Sequence, residues 1–161
     1  MSVGRFLGMI GAVLVRPSDG RYLVLKRSEE KDFGAGIWEC VTGRVDQGEG
    51  FESALHREVK EELGVEVEID YIAGTSHFYR GKPNPENEMI GIFYCCTIKE
   101  GQEIKTSWEH ADHRWVTAEE VEGWLAEGYW LRELIRRAEL IRKYIHPEIV
   151  SHNRKNGYEI G

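Results

Sequence analysis

Apolar and polar positions along this chain change period several times, and each change marks an element. Residues 6–16 and 21–27 are apolar-rich runs separated by Pro17-Ser18-Asp19-Gly20. That cluster is a turn signal, so the pattern predicts a strand hairpin. Residues 28–36 are polar and contain Gly34 and Gly36, which predicts a loop, and residues 37–41 form a short apolar strand. The period then becomes helical: Leu55, Val59 and Leu63 recur at i, i+4 and i+8, and Gly64 stands where a glycine ends a helix. Val65, Val67, Ile69 and Tyr71 alternate as a strand that continues through residues 76–79. Residues 80–88 hold two prolines and two asparagines and predict a loop.

Residues 89–98 are almost continuously apolar, as in a strand buried on both faces. A short strand is expected at 113–116. Thr117 and Glu120 then have the spacing of a capping box for a helix to about residue 126, broken by Gly128. Leu131, Leu134, Ile135, Ala138, Ile141 and Ile145 mark an amphipathic helix ended by His146-Pro147. Its other face carries Arg132, Arg136, Arg137, Arg142 and Lys143, read as a solvated face. The last fourteen residues show no period, and 152–161 read as a tail. Interleaved strands and helices predict a mixed α/β (α+β) fold, and 161 residues suit one domain with a real core.

Composition narrows the function classes. A net charge of −7 argues against a nucleic-acid polymer as partner. Charges or glycines interrupt every apolar run before membrane-spanning length. The N-terminal segment 1–17 has the apolar look of a leader, but it flows into the first strand without a separate cleavage region. Three cysteines include the adjacent pair Cys95-Cys96, whose side chains point to opposite faces of a strand. They read as reduced core residues of a cytoplasmic protein.

The chemistry concentrates in residues 43–65, GRVDQGEGFESALHREVKEELGV. At about 100° per residue, Glu62 is rotated about 40° from Glu58 on one side and Glu61 about 60° on the other. Three carboxylates therefore share one edge of the helix, beside the apolar stripe. They repel unless a cation lies among them, and hard oxygen ligands select Mg²⁺, with Mn²⁺ as a substitute. The competing reading is an ordinary solvated acidic face. Gly43, Glu49, Arg57 and Gly64 argue against it: together with the three Glu they form a pattern met by chance in about one chain of this length in 10⁷.

The pattern Gly-x5-Glu-x7-Arg-Glu-apolar-x-Glu-Glu-x-Gly-apolar resembles the Nudix box at every fixed position. The resemblance implies an α/β/α Nudix sandwich and hydrolysis of a nucleoside diphosphate linked to another group. It implies that Glu58, Glu61 and Glu62 are metal ligands with the Gly43 carbonyl, and that Glu58 or a neighbour helps deprotonate water. It implies that Arg57 pairs with Glu49 to hold the loop on the helix. A non-catalytic Nudix-fold binding module is a second class, but such modules usually lose a motif Glu or the Arg, and all are present here.

Outside the motif, Glu109 is a candidate further ligand or base, since Nudix enzymes often place a Glu in that loop. His110 and His113 lack the third and fourth ligands of a zinc site. Lys26, Arg27 and Arg80 are candidates to grip phosphate. Lys26 and Arg27 face opposite sides of a strand, so at most one points inward. Trp38, Tyr79, Phe78 and Phe33 are candidates to stack on a base. Gly34-Ala35-Gly36 lacks the Gly-Lys-Ser/Thr ending of a P-loop. The segment Trp38-Glu39-Cys40-Val41-Thr42-Gly43 is similar to the dihydroneopterin triphosphate and dATP pyrophosphohydrolase branch. That favours a (d)NTP or related triphosphate, cleaved to a monophosphate and pyrophosphate. A dinucleoside polyphosphate or an ADP-ribose-type nucleotide sugar is the alternative. The expected partner is thus a small nucleotide, with a homodimer left open.

Overall fold

The computed structural model describes residues 4–161; the first three residues of the segment weighed above as a leader lie outside that range. Its sheet is organised on β1 (Leu7–Val15). Alternate β1 side chains enter two separate cores. Ile10, Ala12 and Leu14 join one, and Met9, Val13 and Val15 join the other. A strand buried on both faces must be apolar throughout, which is how its sequence reads.

Around β1 lie β2 (Tyr22–Arg27), β3 (Trp38–Glu39), β4 (Val41–Arg44), β5 (Val67–Tyr79), β6 (Glu88–Ile98) and β7 (His110–Val116). The seven-stranded sheet has the order β3-β2-β1-β6-β5, with β4 also on β1 and β7 also on β2. β1 and β6 run parallel from Leu7↔Met89 to Val15↔Thr97, whereas β5 and β6 are antiparallel. Helix α1 (Phe51–Leu63) covers one face through Ala54, Leu55, Val59 and Leu63. Helices α2 (Ala118–Trp124) and α3 (Trp130–Tyr144) cover the other through Val121, Leu131, Ile135 and Ala138. This mixed sheet between helical layers is the expected α+β architecture. Thr117 and Glu120 cap α2 reciprocally, at 3.1 and 2.8 Å. All three cysteines are free and buried, and no helix among the described residues is long and apolar enough to cross a membrane.

Several expectations need correction. The β1–β2 hairpin holds only at its base, Val15↔Tyr22. Farther along, β4 takes the β1 edge at Met9–Ala12 while β2 pairs with β7. The strand expected at 37–41 is two strands, one on β2 and one on β1, changing partners at Cys40. β7 begins at His110 rather than at 113, and its exposed side chains at 111–114 explain why no apolar pattern announced it.

The segment 152–161 is not all tail: α4 (Pro147–Asn156) runs into it as far as Asn156. Its docking is polar. Buried Asn153 donates to the Asp70 carbonyl at 2.7 Å, and Arg154 pairs with the Asp70 carboxylate at 2.6 Å. Beyond the helix, the Glu159 carboxylate accepts from the Glu52 N–H at 2.9 Å. Hydrophobic periodicity cannot report contacts of this kind.

Candidate active site

The acid edge of α1 is graded by its position over the sheet. Leu55, Val59 and Leu63 are fully buried, so the helix is pressed down along that stripe. Glu62, next to it, has 5% of its side chain exposed, Glu58 15% and Glu61 61%. Glu58 and Glu62 line a cleft of about 1320 Å³; Glu61 is not in its lining, but its carboxylate shares Arg57 Nη1 with Glu58, at 3.4 and 2.8 Å. Gly43 of β4 also lines the cleft and lies against Glu58 so closely that any Cβ there would overlap the Glu58 carboxyl group. The glycine is required by that approach, because its own backbone is not in the left-handed region. Gly64 is different: it ends α1 at φ 70°, with its N–H on the Lys60 carbonyl.

Arg57 locks the entrance loop to the helix. Its Nε and Nη2 donate to the two Glu49 oxygens at 2.7 and 2.9 Å, and Nη2 also reaches the Arg44 carbonyl at 3.0 Å. Its Nη1 donates to Glu58 at 2.8 Å. A bidentate arginine–carboxylate pair is directional as well as strong. The Arg57 hydrogen bonds, with the Asp46 N–H, hold the Glu49 carboxyl down at about 2.

Glu62 is in the opposite situation. Burial first, and then the carboxylates of Glu109, Glu39 and Glu58, push it up to about 9. Its Oε2 is buried with no hydrogen-bond partner. Burial also raises Glu58, with Arg57 opposing. No three Asp, Glu, His or Cys side chains among the described residues close on a common point. Cations of the chain itself stand against three of the acids: Arg57 on Glu58 and Glu61, and Lys31 on Glu109. The donor set fits a divalent cation: hard oxygens of Glu58, Glu62 and Glu109, the Gly43 backbone beside Glu58, and one buried carboxylate oxygen without a partner.

The other expected residues divide. Glu109 lines the cleft, paired with Lys31. Arg27 lines it and donates to both Glu39 oxygens at 3.1 Å, whereas Lys26, its strand neighbour, is outside. Arg80 lines it, paired with Asp32 at 2.8 Å and placed 5.6 Å from the centre of the Phe33 ring. Trp38 does not line the cleft: its ring packs edge-on to Trp124 at 4.6 Å, with Arg114 above both. Tyr79 is also outside, because strand alternation turns Phe78 inward and Tyr79 away. Glu49 acts on the site through Arg57.

The sequence reading missed the far wall. Arg136, Arg137 and Lys143 are not a purely solvated face: they line the cleft with Trp130 and Leu134 of α3. Arg136 and Lys143 face Glu122 and Glu139, and Arg137 has no carboxylate partner among the described residues. Phe93 and Met9, read as core, complete an apolar end. No local pattern distinguishes such residues from core or surface, since the wall forms only when α3 packs against the sheet.

The NUDIX domain profile matches residues 8–137. The chain is 30% identical over 111 residues to the nucleoside triphosphatase NudI of Escherichia coli O139:H28, covering 65% of this chain and 78% of that protein. It is 33% identical over 125 residues to a MutT-like protein of Streptomyces ambofaciens, covering 78% and 73%. The crystal structure of a MutT protein from Methanosarcina mazei Go1 superposes with a TM-score of 0.72 at 26% identity, over 89% of this chain and 99% of that one. The profile spans α1 and every strand that carries a cleft carboxylate, and the similarity extends over most of both chains, so the protein belongs to the Nudix hydrolase family.

Proposed function

We propose that the protein cleaves a nucleoside triphosphate, or a close analogue, to the monophosphate and pyrophosphate, using Mg²⁺ with Mn²⁺ as a substitute. The observation that carries the reading is the buried, partnerless Glu62 oxygen in a cleft shared with Glu58, Glu109 and Gly43. Similarity to a nucleoside triphosphatase supports the substrate class. A divalent cation held there supplies charge neutralisation to the phosphate oxygens and acidity to the attacking water.

The chain's own groups do the rest. Glu58, Glu62 and Glu109, with the Gly43 carbonyl, hold the cation. Glu58 or Glu109 accepts the proton of the attacking water, each being a carboxylate inside the cleft. Arg57, fixed by Glu49, keeps Glu58 aimed. Arg27, Lys31, Arg80 and Arg137 offer positive charge to the phosphates along the cleft. The base seats at the apolar end, against Trp130, Phe93 and Leu134.

The cleft exceeds the roughly 300–1,000 Å³ of ordinary small-ligand sites. That observation favours, as a second reading, a two-headed substrate such as a dinucleoside polyphosphate or a nucleotide sugar. A panel of the three substrate types, with separate detection of phosphate and pyrophosphate, decides between them. Pyrophosphate release from a triphosphate is expected. Fast turnover of a two-headed nucleotide with none of any triphosphate would refute the first reading.

A further inference from the structure

Behind Glu62 lies a chain of buried polar groups, of which the reaction as described uses only Arg27. Strands β2 and β7 pair at Arg27↔His110, and β2 and β3 pair at Leu25↔Glu39. Arg27, Glu39 and His110 thereby converge beneath the C-terminal end of α1. The His110 side chain is 2% exposed, and those of Glu39 and Glu62 are 5% exposed. Arg27 Nη1 lies 3.1 Å from both Glu39 oxygens. His110 Nε2 lies 3.1 Å from Glu39 Oε1 and 3.6 Å from Glu62 Oε2. Glu39, paired with Arg27, accepts, so Nε2 carries the hydrogen.

The backbone fixes the same junction, because the Ser107 N–H donates to the Glu62 carbonyl and the Lys105 N–H to the Leu63 carbonyl, both at 2.9 Å. Glu62 is thus held at its main chain by the β7 approach and faced at its carboxylate by His110. Its Oε2 stops short of a hydrogen bond and has no other partner.

Stability alone does not account for this arrangement. Burying charged groups costs several kcal/mol each, and well-packed apolar residues in their place are often as stable or more so. A ligand carboxylate, by contrast, needs a fixed orientation, and the groups behind it supply one. We propose that His110 is a positioning residue: anchored by the Glu39–Arg27 pair, its imidazole sets the orientation in which Glu62 meets the divalent cation. The inference rests on Glu62 being a cation ligand.

The test is an electron paramagnetic resonance titration of Mn²⁺ into wild type, His110→Leu, His110→Gln and Glu62→Gln, each below its melting temperature. It is joined by steady-state kinetics at saturating Mn²⁺. His110→Leu is expected to weaken Mn²⁺ binding about 10–100-fold, the usual effect of losing a group behind a ligand. KM for the nucleotide at saturating cation is expected to stay unchanged. His110→Gln keeps a donor near the Nε2 position and is expected to restore most of the affinity. A merely structural histidine would lower the melting temperature and leave the affinity of the folded protein alone.

Wild-type Mn²⁺ affinity in His110→Leu, with weakened affinity in Glu62→Gln, would overturn the positioning role and leave the ligand assignment standing. Wild-type affinity in Glu62→Gln would overturn both. If His110→Leu does not melt cooperatively, Glu39→Gln carries the same test, with a loss of at least tenfold expected and wild-type affinity overturning the role.

Discussion

Replacing Gly43 with alanine isolates the contact that builds the site. The added Cβ would overlap the Glu58 carboxyl group. Glu58 cannot easily yield, because its side chain is largely buried and Arg57 Nη1 holds it at 2.8 Å. Overpacking of this kind costs about 1–3 kcal/mol. A chain of 161 residues unfolds with an entropy of about 0.3 kcal/mol per kelvin, so the melting temperature should fall by roughly 3–9 °C. The overlap is with Glu58, and a double-mutant cycle exposes it. In a Glu58→Ala background the overlapping atoms are gone. Gly43 does not need the left-handed backbone, so the alanine there should stabilise by about 0.4–1 kcal/mol through the unfolded chain. Gly43→Ala should therefore change sign between the two backgrounds, a coupling of about 1.5–4 kcal/mol. Thermal melts of the four proteins measure it. Additivity within about 0.5 kcal/mol would refute the reasoning, since it would mean the two residues do not meet.

Two further outcomes follow from the geometry. The Glu49 carboxyl is depressed from 4.5 to about 2 when folded, so its contribution is present above the unfolded value and lost as pH falls through that window. The difference in melting temperature between wild type and Glu49→Gln should therefore be largest near neutrality and vanish toward pH 2; a difference that stays constant down to that pH would contradict the pairing. Trp130→Ala should raise KM about tenfold if a base stacks there, such stacking being worth about 1–3 kcal/mol. Trp38→Phe should leave KM alone because its ring packs on Trp124, so equal effects in steady-state kinetics would sink the assignment of the apolar end.

Much of the fold was legible from period alone. The α1 stripe, the capping box at Thr117 and strand β6 appear where the sequence places them, although β6 is buried on both faces only over Phe93–Cys96 and Ile90 is exposed. Strand pairing was less legible. The turn at Pro17–Gly20 promised a hairpin, yet β4 competes for the same edge of β1, and nothing local to residues 6–27 records that competitor. α4 was invisible because it is held by Asn153 and Arg154 rather than by an apolar stripe.

The same division runs through the site. The sequence by itself determined the helix, its glycine stop, the three carboxylates on one edge and the residues able to hold the loop. Those are consequences of spacing within one turn or two, where geometry is fixed by the 100° step. Only the tertiary structure decided which carboxylates are buried. It turned Glu62 inward and Glu61 out, although the two are adjacent, because burial depends on what α1 packs against. Only the tertiary structure brought Arg27, Glu39 and His110 behind Glu62, and α3 across from it, since strand registers and helix docking join residues that lie up to about a hundred positions apart.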